Sequence, residues 1–344
     1  MNIKELAKKY EQYTIDMRRE FHMHPELSMK EVGTSDRIKE ELTKIGIPFE
    51  SIGTGVVATI KGKNEGKTIA LRADIDALEV NEMRDVPYKS KNEGIMHACG
   101  HDAHGAMLLG AAHVLNEIKD EFNGTVKLMF QPAEETAQGA KALIEGGALN
   151  GVDEVFGMHV MGNFPSGKIA VGEGPRMASA DMFRIKVKGA GGHGSMPNYG
   201  VDALVAASSI VMNLQTVVSR EISPMESAVV SIGKLSSGTR FNVIADEAIM
   251  EGTTRCFSYE VREQLPAAMQ RIVKSTAASY RAEAEFEYKF LTAPTINNME
   301  STERAKKAIE KIMSRDAVME MPKMAGSEDF SEYLEMVPGT FAIV

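Results

Sequence analysis

Apolar positions in the first half of the chain fall into two alternating kinds of segment. Short apolar or β-branched runs at 56–60, 68–73, 125–131 and 154–160 are bounded by glycine, proline or charge, and read as strands. Helical periodicity marks 35–45, 103–118 and 137–145, and residues 1–10 alternate charged with apolar positions as an amphipathic helix does. Alternating strands and helices predict an α/β fold, a central sheet with helices on its faces. Ligands in open sheets of this kind bind beyond the carboxyl ends of the strands. Asp74 and Asp76 follow one predicted strand, Glu134 and Glu135 follow another, and His159 ends a third.

From about residue 178 the pattern changes. Residues 182–188 alternate strictly, with Phe183, Ile185 and Val187 on one face, as in a strand with one wet side. A helix at 201–219, strands near 228–235 and 248–256, a helix around 259–281 that Pro266 is expected to restart, and a strand near 284–290 complete the order βαββαβ. That is the order of a ferredoxin-like split unit. The chain is therefore expected to hold an inserted domain at 178–291 within a first domain made of 1–177 and 292–344. A helix near 302–314 and an apolar strand at 339–344 belong to the returning segment, and the first domain is expected to be truncated at its carboxyl terminus.

Composition narrows the class. The 344 residues are 43% hydrophobic and 25% charged with a formal net charge of −9, which fits a soluble globular protein and argues against a nucleic-acid surface. No apolar run looks long enough to span a bilayer, so no membrane partner is expected, and residues 1–10 lack the features of a secretory signal. Two cysteines, Cys99 and Cys256, make no disulfide framework. A Cys99 thiolate serving as a ligand needs a reducing compartment, so the expected location is the cytoplasm.

The stretch 96–104 concentrates His97, Cys99, His101, Asp102 and His104. A thiolate, imidazoles and a carboxylate in one turn suit a borderline-soft divalent ion such as zinc, nickel, cobalt or manganese. Each element has a bland alternative: loop histidines are often solvated, paired glutamates usually face water, and a strand-end histidine usually packs in the core. Their shared place at the strand ends favours the ligand reading for Cys99, His101, Glu135 and His159. Of two adjacent carboxylates one can ligate while the other serves as general base. His22 and His24 look structural, His113 looks like packing, and Cys256 looks like a small core residue.

The motifs His24-Pro25-Glu26-Leu27-Ser28, Leu71-Arg72-Ala73-Asp74-Ile75-Asp76-Ala77-Leu78 and His97-Ala98-Cys99-Gly100-His101-Asp102-Ala103-His104 resemble those of the metal-dependent amidohydrolases. That group includes hippurate hydrolase, indole-acetyl-amino-acid hydrolases and N-acetyl-diaminopimelate deacetylase, and it is related to aminoacylases and zinc carboxypeptidases. The resemblance runs on through Phe130-Gln131-Pro132-Ala133-Glu134-Glu135, Gly157-Met158-His159, Gly191-Gly192-His193-Gly194-Ser195-Met196-Pro197, Asn242-Val243-Ile244, Gly252-Thr253-Thr254-Arg255 and Gly326-Ser327-Glu328-Asp329-Phe330. It implies a zinc-peptidase-like catalytic domain with a mixed sheet, an inserted lid or dimerisation domain, and two divalent metal ions per chain. Cys99 would be shared, with His101, Glu135 and His159 completing the ligands present; Glu134 matches the general base and Asp76 a carboxylate that orients a ligand. Asp74 could also approach the metals. His193 would stabilise the oxyanion in the partner's site of a homodimer, and Asn242 and Arg255 would grip the substrate carboxylate.

The resemblance also implies a further metal-binding histidine after Gly326-Ser327-Glu328-Asp329-Phe330; no histidine follows His193 here, and Glu79 stands where the family has proline. The implied activity is hydrolysis of N-acyl amino acids or similar small amides. The alternatives are a carboxypeptidase acting on small peptides, a thiol enzyme using Cys99 as nucleophile, and a non-catalytic metal-binding relative.

Overall fold

Three mutually parallel strands, Thr68–Asp74, Thr125–Gln131 and Glu154–His159, carry apolar runs of the first half in the computed structural model, which describes residues 2–344. They sit inside an eight-stranded mixed sheet of order Phe49–Ile52, Gly55–Lys61, Thr125–Gln131, Thr68–Asp74, Glu154–His159, Gly339–Ile343, Ile169–Ala170 and Val318–Met319. Gly55–Lys61 runs antiparallel to Thr125–Gln131, with Val56 opposite Phe130, and Gly339–Ile343 runs parallel to Glu154–His159. Leu128, Met129 and Phe130 are buried in succession, which requires cover on both faces of the sheet. On the face of Leu128 and Phe130, helix Val32–Lys44 contributes Ile38 and Leu42, and helix His101–Glu117 contributes Leu109 and Ala112. Because the three strands are parallel, Asp74, Gln131 and His159 leave the sheet at the same edge. The sheet thus delivers the residues that follow them to one place.

Helix Glu11–Met23 and the edge strand Phe49–Ile52 lie outside the periodic segments of the sequence. The helix buries only Met17, Phe21 and His22, too few apolar positions to print a stripe, and the edge strand has no fully buried residue.

The chain divides into two units. The first comprises the residues up to Arg176, with Ile296–Pro322 and Asp329–Val344; the second comprises Met177–Thr295 and Lys323–Glu328. The pattern assigned all of 292–344 to the first domain. Lys323–Glu328 goes with the second unit because Ala178 N–H donates to the carbonyls of Met324 and Gly326.

The second unit runs strand Ala180–Lys188, helix Ala203–Thr216, strands Ala228–Ser237 and Glu247–Cys256, helix Tyr259–Ser279 and strand Glu283–Thr292. Its antiparallel sheet has the order Ala228–Ser237, Glu247–Cys256, Ala180–Lys188, Glu283–Thr292. Phe183, Ile185 and Val187 share one core with Ile210 and Leu214 of the first helix and Leu265 and Val273 of the second. Met182 and Arg184 face the other way, where Lys186 pairs with Glu247 at 2.7 Å. Pro266 does not restart the helix: Tyr259–Ser279 is continuous, with the proline in its interior. The missing proline N–H leaves only the Arg262 carbonyl without its helical donor, and the Arg262 side chain is anchored by two bonds to buried Asp181, at 2.9 and 2.8 Å. One stretch, Ala203–Glu221, is in fact long and apolar enough to span a bilayer by length and composition. Ala203, Ala206, Ala207, Ile210 and Leu214 form its buried face.

Candidate metal centre

Helix His101–Glu117 begins at Gly100, whose φ of +93° is the left-handed conformation that glycine adopts freely. A Cβ at Gly100 would lie 2.4 Å from Val160 Cγ2, so only glycine lets the Cys99–His101 turn approach the end of the strand that carries His159. Cys99 Sγ and His159 Nε2 are consequently 3.3 Å apart. On the other side of the strand ends, the turn after Gln131 places Glu135 Oε1 3.9 Å from His101 Nε2.

Two groups of donors converge here: Cys99, His101 and His159, and His101, Glu134 and Glu135, with the donor atoms of each group within 4.8 Å of one another. Hydrogen bonds set the ring orientations. His159 Nδ1 lies 2.7 Å from the Val160 carbonyl, which can only accept, so Nδ1 carries the proton and Nε2 presents its lone pair toward Cys99. His101 Nδ1 faces Asp76 Oδ1 at 3.1 Å, and its Nε2 is buried without a hydrogen-bond partner, as is Glu135 Oε1. An imidazole held by a carboxylate through one nitrogen, with the other nitrogen open, is the arrangement of a metal-ligating histidine.

Electrostatics point the same way. Burial is the largest single influence on His101 and pushes its pKa down, but the Asp74 and Asp76 carboxylates together hold it well above the usual histidine value. Glu135 is pushed up by burial and by the same two carboxylates, against the pull of His101. The centre is therefore built to hold positive charge between His101 Nε2 and Glu135. A divalent cation held by His101 and Glu135 would answer both needs. The donor set fits such an ion.

A third group, Asp74, His101 and His104, is equally close in space, but its atoms are committed. Val160 N–H donates to His104 Nε2 at 2.8 Å, so the His104 proton sits on Nδ1 and is given to Asp74 Oδ1. Asp74 Oδ2 accepts from Arg72 Nη1 at 2.6 Å, and Arg72 reaches on to Asp329 at 2.7 Å and Gln131 at 2.7 Å. Burial alone would raise Asp74; Arg72, His101 and His104 together hold it well below the carboxylate range. This chain of buried groups fixes the backbone just after His159.

Asp76 Oδ2 accepts the Ser28 hydroxyl at 2.7 Å and the Glu135 N–H at 3.1 Å. Glu134 lies on the same turn, half-buried, beside Glu135. His22 is buried, with Asp102 at 2.7 Å and Glu82 at 3.2 Å, and ties helix Glu11–Met23 to the first turn of helix His101–Glu117. His113 stacks on Tyr10 and Cys256 is buried against Ser179, both packing roles.

The residues found together in the first unit are thus Cys99, His101, Glu134, Glu135, His159 and Asp76. His193, Asn242 and Arg255 lie in the second unit. His193 is exposed, its Nδ1 2.7 Å from Ser195 Oγ, on a short strand paired with Val243; the Asn242 carbonyl accepts from Gly194 N–H. Arg255 bonds Thr254 O at 2.9 Å. Sequence reasoning gave no role to Arg72, His104, Ser28, Glu31 or Asp329. All but Glu31 stand in motifs that were visible, but nothing in a motif says which side chain faces inward.

Residues 70–344 match the model of peptidase family M20/M25/M40. The chain belongs to this family. Among its M20 relatives, the N-acetylcysteine deacetylase of Bacillus subtilis (strain 168) is 45% identical over 332 residues, covering 95% of this chain and 86% of that protein. Thermostable carboxypeptidase 2 of Saccharolobus solfataricus is 44% identical over 345 residues, covering 98% and 87%. The crystal structure of Bacillus subtilis YXEP protein, described as a dinuclear metal binding peptidase from the M20 family, superposes with a TM-score of 0.87 at 41% identity, covering 98% of this chain and 89% of that one.

Proposed function

We propose that this M20 chain hydrolyses the amide bond of N-acyl amino acids and related small amides, with Cys99, His101, Glu135 and His159 holding two divalent ions and Glu134 serving as general base. The observation that carries the reading is the pair of buried atoms without a hydrogen-bond partner, His101 Nε2 and Glu135 Oε1, beside Cys99 and His159. The similarity to a relative named N-acetylcysteine deacetylase supports the substrate class. The cations would supply Lewis acidity, polarising a carbonyl oxygen and making water acidic near neutral pH.

The chain's own residues do the rest. Glu134 takes a proton from the attacking water and hands it to the leaving amine nitrogen. Asp76 orients His101 through Nδ1 and holds the Glu135 backbone. The second unit, whose βαββαβ order is that of a ferredoxin-like unit, acts as a lid and a dimer contact. His193 of one copy steadies the oxyanion in the other, and Arg255 and Asn242 grip the substrate carboxylate, for which a guanidinium fork is suited. Cys99 as a thiolate ligand favours a reducing, cytoplasmic setting.

A carboxypeptidase reading uses the same machinery and is favoured by the similarity to thermostable carboxypeptidase 2. Turnover of N-acetyl amino acids, hippurate and carboxyl-terminal dipeptides, measured with zinc, manganese, cobalt or nickel added and after chelation, separates the readings. Faster cleavage of N-acyl amino acids that a chelator abolishes supports the proposal. Chelator-resistant activity would point to Cys99 as a nucleophile.

A further inference from the structure

Glu31 is a buried carboxylate that the reaction above leaves without a task. It is 0% exposed. It stands at the start of helix Val32–Lys44, where a carboxylate commonly bonds the helix N-terminus, yet its side chain makes no capping bond there. It turns instead toward three donors: Met29 N–H at 2.9 Å, the Thr54 hydroxyl at 2.7 Å and, from a segment about a hundred residues away, Ala133 N–H at 2.9 Å.

Two of those donors belong to unusual backbone. Met29 and Ala133 have φ of +64° and +52°, a left-handed conformation that residues with a Cβ rarely adopt. Ala133 immediately precedes Glu134 and Glu135, and the turn is closed at its other end by Ala137, also left-handed at +53°. The turn is folded tightly: Gln138 and Gly139 N–H both donate to the Ala133 carbonyl, and a Cβ at Gly139 would fall 1.6 Å from the Pro132 carbonyl oxygen. Glu135 has its own tether to Asp76 through its N–H. Ala133, on the Glu134 side, has Glu31.

We propose that Glu31 is a positioning residue for Glu134: by accepting the Ala133 N–H it holds the left-handed entry to the turn and so sets where the Glu134 carboxylate stands. The assignment rests on Glu134 being the general base. Because Glu135 is tethered separately, loss of Glu31 is expected to reduce turnover and leave cation binding intact.

The test compares Glu31→Ala, Glu31→Asp and Glu31→Gln for kcat and KM on an N-acetyl amino acid, and for cobalt(II) affinity by titration of the metal-free protein. Glu31→Ala removes the acceptor and Glu31→Asp withdraws it by one methylene. Each should lower kcat about 10- to 100-fold, the scale of a misplaced catalytic group, with KM and cobalt affinity within about threefold of the parent. Glu31→Gln should keep most of kcat, because its amide oxygen can accept both N–H groups while its NH₂ donates to Thr54. Ala133→Gly, which takes up positive φ without strain, should restore part of the rate lost in Glu31→Ala. In a Glu134→Gln background Glu31→Ala should cost little more.

Full activity of Glu31→Ala and Glu31→Asp overturns the proposal, as does an equal loss in Glu31→Gln, a fall in cobalt affinity matching the fall in kcat, or a full extra loss in the Glu134→Gln background. Should Glu31→Ala not fold, Glu31→Asp and its Ala133→Gly partner carry the test. Full activity of Glu134→Gln alone would instead remove the general-base assignment.

Discussion

Asp74→Asn tests whether this carboxylate is a ligand or part of the buried scaffold behind the proposed ligands. The substitution keeps shape and removes charge at a 0% exposed site. Asp74 Oδ2 lies 3.7 Å from His101 Nε2, where the full charge–charge attraction would be about 4 kcal/mol at an effective dielectric of 20. Arg72, whose Nη1 is 2.6 Å from the same oxygen, keeps its charge in the variant and so offsets none of this loss. A cation at His101 should bind about a thousandfold more weakly, since about 1.4 kcal/mol is a factor of ten. Stability should suffer as well. Arg72 would keep Asp329 and Gln131, but removing one partner of a buried pair costs about 3 kcal/mol even at the low end. Isothermal titration with manganese or cobalt and denaturant unfolding of the metal-free protein measure the two effects. The expected outcome is unchanged stoichiometry at saturating metal, affinity about a thousandfold weaker, and a clear loss of stability. Loss of a whole equivalent of metal with stability unchanged would show that Asp74 is a ligand and that the committed-donor reasoning is wrong.

Cys99→Ala should lose metal along with activity, because a methyl group cannot replace a thiolate; elemental analysis showing full metal content would remove Cys99 from the ligand set. His97 is buried with neither ring nitrogen partnered, and its pKa is pushed down to about 4 by burial. The unfolded chain therefore binds a proton between about pH 6.5 and 4 that the folded chain refuses, so stability falls as pH drops through that window, by about 3 kcal/mol in all; His97→Leu should remove that share of the acid sensitivity, and an unchanged pH–stability curve would contradict it. Mixing His193→Ala with Glu134→Gln chains should recover part of the activity if His193 acts across a dimer. No recovery despite demonstrated subunit exchange would restrict His193 to its own chain, or to no role.

The strands at 68–73, 125–131 and 154–160 were legible because each is a continuous apolar run, and their parallel order was implied by the helices between them. That was enough to bring Asp76, Glu134, Glu135 and His159 to one edge before any geometry was known. Helix Glu11–Met23 was not legible because its buried face includes His22, held by Asp102 and Glu82, where an apolar residue would have marked the stripe. Pro266 misled because helix Tyr259–Ser279 tolerates a missing donor where tertiary packing is strong. Side-chain direction was the larger gap. His104 is as histidine-like as His101 in the sequence, and only the Val160 N–H on its Nε2 shows that it braces the centre. Glu31 carried no signal at all, since its partner is the backbone of Ala133.

The central proposal is a division of labour between two adjacent carboxylates, in which Glu134 moves protons and Glu135 holds metal. Metal content and turnover of Glu134→Gln and Glu135→Gln, measured side by side on N-acetyl amino acids, test it most directly. Glu134→Gln should keep its metal and lose about 10²-fold or more in kcat; Glu135→Gln should lose metal itself. The reverse pattern, or full turnover in Glu134→Gln, would contradict the account.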